Sequence, residues 1–246
     1  MDRLIWTAVT GMNASMTQQR MIANNMANAQ TVGFRAEVMA QTPVTLLGPS
    51  VQARAMTDGS VRGARMEAGA FMTTGRPLDI ALHGDALIAV QAPDGDEAYT
   101  RRGDLVVSPT GLLTNGEGFA VMGDGGPISV PPGSMVSIGN DGAVLVGDPA
   151  APDQPPQRVD RIKLASPAGS EIYKGLDGLF RVRGGGVLPG DATARVEPGT
   201  LEQSNVKTSE VMVEMIEAQR LFEMRTQVVS TAKEIDEGGA GLMRIT

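Results

Sequence analysis

The sequence predicts a discontinuous α+β protein in which N- and C-terminal helices pair as a coiled-coil module, with an all-β domain and extended connectors inserted between them. Two observations carry the expectation. All 15 prolines lie between Pro43 and Pro198, and the first 40 residues contain only Gly11 and Gly33 as glycines, so helix breakers are concentrated in the middle of the chain. Both ends also repeat small or apolar residues at alternating spacings of three and four, the pattern of a helical seam, whereas the middle alternates with a period near two.

In order along the chain, residues 1–40 read as the first helix of the α module. Ile5, Ala8, Met12, Ser15, Gln19, Ile22, Met26 and Ala29 follow the seam spacing over a helix about 40 Å long. The stretch TVGF ends it, with Gly33 able to take a left-handed conformation. Residues 41–74, rich in Gly, Thr and Ala, read as an extended connector. Residues 75–185 read as the all-β domain: ALIAVQ, AYTRRGDLVV and LLTNGEGFAVMG are short alternating runs separated by APDGDE and SPTG turns. MVSIGNDGAVLV is a hairpin, and RVDRIKLA and EIYKGLDGLFRV are further strands. Residues 186–200 form a second connector, and 201–246 hold the returning helix, with Val211, Met215, Ala218, Phe222, Val229 and Ala232 along its seam. Asn205 or Ser209 is its expected cap, and EGGAG after Ile235 its expected end.

Composition removes several function classes. The chain has 246 residues, a formal charge of −7 and no clustered Lys/Arg, which argues against nucleic acid as a partner. No apolar run is long enough to span a bilayer, and LIWTAV is shorter than a signal-peptide core, so the chain is expected to keep its N-terminus and to insert in no membrane. The absence of cysteine excludes disulfides, thiolate metal sites and a cysteine nucleophile, and leaves the redox compartment open.

A search for chemistry returns little. His83 is the single histidine, so it has no histidine or cysteine partner for metal or nucleophilic work, and it reads as a strand-end residue before Gly84. Asp94, Asp96, Glu97 and Asp104 crowd one stretch without the spacing of a calcium loop. GDGGP and RGGGVLPG are glycine-rich, but neither follows a strand to open a helix, so neither is a phosphate loop. The expectation is a structural or binding protein without catalytic residues, metal or cofactor.

The first helix carries the most unusual signal. From Leu4 to Asn28 Arg20 is the only charge, and three asparagines, costing about 2 kcal/mol relative to alanine, sit inside the helical pattern. With Ile5 at a seam position, Asn24, Asn25 and Asn28 fall off the seam and are expected to point outward. Uncharged amides on such a face can pair with another molecule without burying a charge. An ordinary two-helix hairpin with a polar outer face, an assembly surface and a homodimeric coiled coil all remain open from residue types alone.

The string LIWTAVTGMNASMTQQRMIANNMANAQTVGFR resembles the N-terminal signature of the flagellar rod, hook and hook-filament axial proteins. The block from TGRPLDIAL to GGPISVP resembles the family's central region through Leu78, Asp79, Tyr99, Thr100, Arg101, Gly103, Gly111, Leu113, Gly116 and Gly118. VEPGTLEQSNV and EMIEAQRLFE are similar to its C-terminal motifs, and only 41–62 and the tail after Ile235 lie outside the resemblance. GDALIAV departs from the family's more usual aromatic pattern, which puts the packing of Ala86 and Leu87 in question.

The resemblance implies a non-enzymatic subunit of the bacterial flagellar basal body, exported unfolded by the flagellar type III apparatus without a cleaved signal peptide. Its terminal helices would order on assembly into the inner layer of a tube, with the β domain outside. The short opening MDRLIW points to the proximal rod, linking inner rod to distal rod and transmitting torque; a distal-rod subunit is the alternative within the family. A coiled-coil adaptor and a secreted β-domain enzyme are the alternatives outside it. On the assembly reading, the contact residues are Gln18, Arg20, Asn24, Asn25, Asn28, Phe34, Asn205, Gln219 and Arg220.

Overall fold

The computed structural model describes residues 2–45, 55–151 and 154–243. They divide into two units. One consists of Met1–Ala27, Glu37–Gly63 and Lys207–Thr246, the other of Asn28–Ala36 and Ala64–Val206. The α+β class matches the expectation.

The first unit contains helices α1 (Asp2–Ala27) and α2 (Thr208–Met243) and the strands β1 (Glu37–Thr45) and β2 (Ala55–Ala64), which pair with each other. Most of the described residues of the stretch read as an extended connector, 41–45 and 55–74, are thus paired strand. The two helices pack antiparallel: Gln19 Nε2 donates to Ala218 O at 3.3 Å, and the Arg225 guanidinium donates to Gly11 O and Ser15 Oγ, so low numbers on α1 meet high numbers on α2.

Two helix boundaries differ from expectation. Neither Asn205 nor Ser209 caps α2; Val211 N bonds Lys207 O to close the first turn, and Asn205 is engaged elsewhere. At the other end α2 runs through Gly238, Gly239 and Gly241 to Met243 instead of stopping at EGGAG. Glycine costs about 1 kcal/mol per helical position relative to alanine but, unlike proline, neither removes a donor nor clashes with the preceding turn.

The second unit is built on a nine-stranded antiparallel sheet. Along it run Ile172–Lys174, Phe180–Val182, Glu97–Thr100, Leu87–Gln91, Ala120–Gly123, Leu113–Asn115 and Leu105–Val107, with Gly126–Pro127 and Leu164–Ala165 attached to its middle. The expected hairpin forms between Met135–Ile138 and Ala143–Gly147, Ile138 facing Val144 across a turn in which Gly142 has φ 79°. RVDRIKLA divides between two sheets, since Gln157–Arg161 joins that hairpin and Leu164–Ala165 joins Leu87–Gln91.

GDALIAV lies at the centre of this unit, and its alternation explains why a continuous apolar run is tolerated. Ile88 and Val90 enter the main core with Ile80, Leu105, Leu113 and Val121, while Leu87 and Ala89 pack on the opposite side with Tyr99, Phe180 and Leu188. Ala86 joins the first cluster and Leu87 the second, so the two residues serve opposite faces of a strand buried on both.

Candidate assembly surfaces

Of the residues expected along the seam whose side chains are described, most are buried or half-buried, with one exception and one unexpected residue. On α2, Val211, Ala218 and Ala232 are buried and Met215, Phe222 and Val229 half-buried. On α1, Ser15 and Ile22 are buried and Ala8 and Met12 half-buried, while the side chain of Ile5 lies outside the described residues. Met26, expected on the seam, is instead exposed, and its neighbour Asn25 is buried at 4% exposure. The seam position between Phe222 and Val229 is Arg225, whose guanidinium bridges to Gly11 O and Ser15 Oγ.

The three asparagines have separate local roles. Asn25 grips the backbone of Glu37 at two points: its Nδ2 donates to Glu37 O at 3.1 Å and its Oδ1 accepts from Glu37 N at 2.8 Å. One primary amide thereby supplies the donor and acceptor that a neighbouring strand would offer to the first residue of β1. Asn24 is exposed and donates to Glu37 Oε1 at 2.7 Å. Asn28 accepts from Thr31 Oγ1 at 3.1 Å in the turn that follows α1. The expectation that all three point outward is therefore corrected for Asn25, which is buried against its own chain.

Within the second unit, three motif segments meet at Glu202. Gly33, at φ +66°, donates its N–H to Glu202 O at 2.7 Å, and a Cβ there would lie 2.5 Å from the Arg101 backbone. Arg101 Nε and Nη2 donate to Glu202 Oε2 at 2.9 and 2.6 Å, and the remaining guanidinium protons reach Gly84 O, Ala86 O and Leu82 O at 2.7 to 2.9 Å. Burial lowers the Arg101 pKa and the adjacent Glu202 carboxylate opposes that shift. Glu202 Oε1 accepts from Gly69 N at 2.9 Å and lies 2.6 Å from Arg35 Nη2. Arg35 is fully buried, and its Nε and Nη1 have no hydrogen-bond partner among the described residues.

Two of the proposed contact residues belong to this junction. Asn205 Oδ1 accepts from Ala36 N at 2.7 Å while its Nδ2 donates to Arg65 O and Glu67 O, both at 2.9 Å. Phe34 is buried, with the Lys174 ammonium 3.4 Å from its ring centroid, a cation–π contact. Asn25, Phe34 and Asn205 are thus buried or fully engaged within the chain. Asn24 and Asn28 also bond within it but are exposed and half-exposed, as are Arg20, Gln219 and Arg220 (exposed) and Gln18 (half-exposed).

Sequence reasoning missed Glu37, Arg35, Glu202 and Arg225 because each partner is distant in sequence. It also missed a second face of α2, although the signal is visible there. Val213, Ile216, Met224, Val228 and Ile235 are 51 to 59% exposed, and at 3.6 residues per turn they share one side of the helix, opposite the seam.

Elsewhere the polar groups suit structure better than chemistry. His83 is exposed, 3.5 Å from Glu197 and beside the Phe71 ring. Arg102 is clasped by Asp104 and Glu117, and the hydrogen bonds to Asp104 raise its pKa. Among the described residues no group of three His, Cys, Asp or Glu side chains is arranged to hold a metal, and no helix is long and apolar enough to cross a membrane.

Comparison with known proteins accounts for this arrangement. Residues 5–35 match the family described as flagella basal body rod protein, residues 81–146 the flagellar hook protein FlgE/F/G D1 domain, and residues 197–242 the flagellar basal body rod FlgEFG protein C-terminal family. The chain is 42% identical to the flagellar basal-body rod protein FlgF of Salmonella typhimurium, over 98% of this chain and 97% of that protein. It is 41% identical to FlgF of Escherichia coli over 95% of each, and 31% identical to the rod protein FlgG of Bacillus subtilis over 96% and 97%. The Gly33, Arg101 and Glu202 segments that converge in the second unit each fall within one of the matched regions, and by these matches the chain belongs to the FlgF family of flagellar basal-body rod proteins.

Proposed function

We propose that this protein is a structural subunit of the proximal rod of the flagellar basal body, linking the inner rod to the distal rod and transmitting torque through rigid packing. The observation that carries the reading is the near full-length similarity to FlgF proteins at 41 to 42% identity, against 31% for the FlgG relative named above. The margin favours the proximal over the distal rod. Its partners are other rod subunits, and it works without substrate, cofactor, nucleic acid or membrane insertion. Export runs through the flagellar type III apparatus.

Within the subunit, α1 and α2 form an antiparallel coiled coil whose seam includes Ile22, Val211, Ala218 and Phe222. Its register is pinned by Arg225, as a lone polar residue at a seam position commonly does. Contacts to neighbours use the exposed members of the predicted set, Arg20, Asn24, Gln219 and Arg220, together with Gln18 and Asn28. The test is complementation in a flagellated bacterium deleted for its own FlgF. The full chain should restore motility and copurify with basal bodies, and deletion of residues 2–27 should abolish both. Recovery of the full chain only outside basal bodies would refute the reading.

A further inference from the structure

The strand Phe71–Thr73 has a neighbour on one side only, pairing with Thr200–Glu202. Thr74 N donates to Gly199 O and Gln203 N to Ala70 O, both at 2.8 Å, so by the alternation of an antiparallel ladder the backbone of Met72 faces Leu201. The N–H and C=O groups of Phe71 and Thr73 then face the open side, and all three residues are exposed. None of the three carries a charge or is a proline that would blunt the edge.

Beside this edge lies a hollow of about 470 Å³ lined in part by Met66, Glu67, Phe71, Leu82, His83 and Asp85. Leu82 is buried and Met66 half-buried, whereas Glu67 and Asp85 are exposed, so an apolar interior has acidic groups toward water. Neither carboxylate forms a salt bridge among the described residues, and Glu197, 3.5 Å from His83 Nε2, adds a third acid nearby. Asp85 also acts on the Arg101 guanidinium, but Glu202 and three carbonyls already take all of its protons. Successive side chains of a strand point to opposite faces, so Phe71 and Thr73 share the face of the hollow and Met72 takes the other. A strand added here would present every second side chain to the hollow, where an aromatic ring and two carboxylates suit a cation.

We propose that the open edge at Phe71–Thr73 binds an extended polypeptide segment by strand addition. An arginine or lysine of that segment enters the hollow lined by Glu67 and Asp85, and its apolar neighbours lie over Met72. Self-pairing of this edge in a second copy would bring the acids of both copies together, which like charge opposes. The site lies within the β-rich unit and does not depend on the rod reading.

The probe is the pentapeptide Thr-Val-Arg-Val-Thr, labelled with fluorescein and titrated into the full chain. Fluorescence anisotropy should show binding that weakens about tenfold or more when glutamate replaces the arginine. The Glu67→Gln/Asp85→Asn chain should lose a similar factor with its melting unchanged. Amide exchange at Phe71 and Thr73 should slow when the peptide is added. Methylating the peptide's amide nitrogens one at a time should weaken binding at alternate positions, as strand pairing requires. Failure of the arginine peptide to bind, equal affinity for the glutamate peptide, or unchanged exchange at both amides would overturn the proposal. So would slowing of those amides with protein concentration alone, which would assign the edge to a second copy.

Discussion

The Glu202 junction and the outer face of α2 spend side chains in opposite ways. In the junction Arg101 places all five of its guanidinium protons on carboxylate and carbonyl oxygens, and Asn205 commits its oxygen and both amide protons inside the chain. On α2 five large apolar side chains stay about half exposed. Arg101 and Asn205 are matched within the chain, with Arg35 Nε and Nη1 the exceptions beside them, whereas the five α2 side chains leave apolar surface in water. The contrast separates residues committed within the subunit from residues that remain exposed on it.

The sharpest way to break it is Glu202→Ala. Removing the carboxylate leaves Arg35 and Arg101 as buried charges with no counterion, a loss of about 3–5 kcal/mol. Chemical denaturation of the isolated chain should show the full effect, because the junction is already complete there. A loss visible only in assembled basal bodies would mean that the cluster is an intersubunit device. Gly33→Ala follows. The left-handed conformation and the 2.5 Å approach to the Arg101 backbone together predict about 1–3 kcal/mol, read in the same experiment. Unchanged stability would show that the turn relaxes without disturbing Arg101.

Asn25 tests the boundary between the two kinds of residue. Asn25→Lys should block assembly under either role, since a buried position and a packed interface both reject a new charge, so it discriminates nothing. Asn25→Ala and Asn25→Asp are informative. Alanine removes both contacts to Glu37, while aspartate retains the acceptor for Glu37 N but sets an oxygen against Glu37 O. Both should destabilise the isolated chain by about 1–3 kcal/mol and speed amide exchange at Glu37. Assembly defects with an unperturbed isolated chain would return Asn25 to the intersubunit class.

What the sequence made visible follows the range of the interaction. The α2 seam is legible because it is written in residues three and four apart, and the hairpin at Gly142 because a turn needs a glycine where φ is positive. Asn25 is not legible, since its partner Glu37 lies beyond the turn and heptad counting puts Met26 in its place. Arg225 breaks the apolar pattern and is passed over for that reason, although its guanidinium reaches Gly11 O and Ser15 Oγ on α1. The Glu202 junction joins positions 33, 35, 101 and 202, a separation no local pattern encodes. The glycine-rich end of α2 misleads in the other direction, because propensity weighs glycine without the neighbouring turns that carry the helix through.

The smallest expected effect concerns pH. Hydrogen bonds from Arg181, at 2.9 and 2.7 Å, hold the Asp177 carboxyl below its ordinary value. A depressed folded-state pKa contributes stability that is present above about 4, the unfolded value, and is lost as pH falls through the folded value. At the alkaline end burial pushes the Tyr99 phenol up. Its contribution is full below about 10 and is lost as pH rises through the folded value. The β-rich unit should therefore be flat in stability across neutral pH and weaken at both extremes. Asp177→Asn isolates the acid arm, because an amide oxygen still accepts from Leu179 N while the charge is gone. As a partly exposed pair it should account for about 1 kcal/mol or less of the loss between pH 5 and pH 2, read from denaturation midpoints. Asp141, lowered by the Ala143 N–H, and Asp191, lowered by the Thr193 hydroxyl, act in the same direction. An acid slope that is the same with and without Asp177→Asn would show that the Arg181 pair contributes nothing to the folded unit.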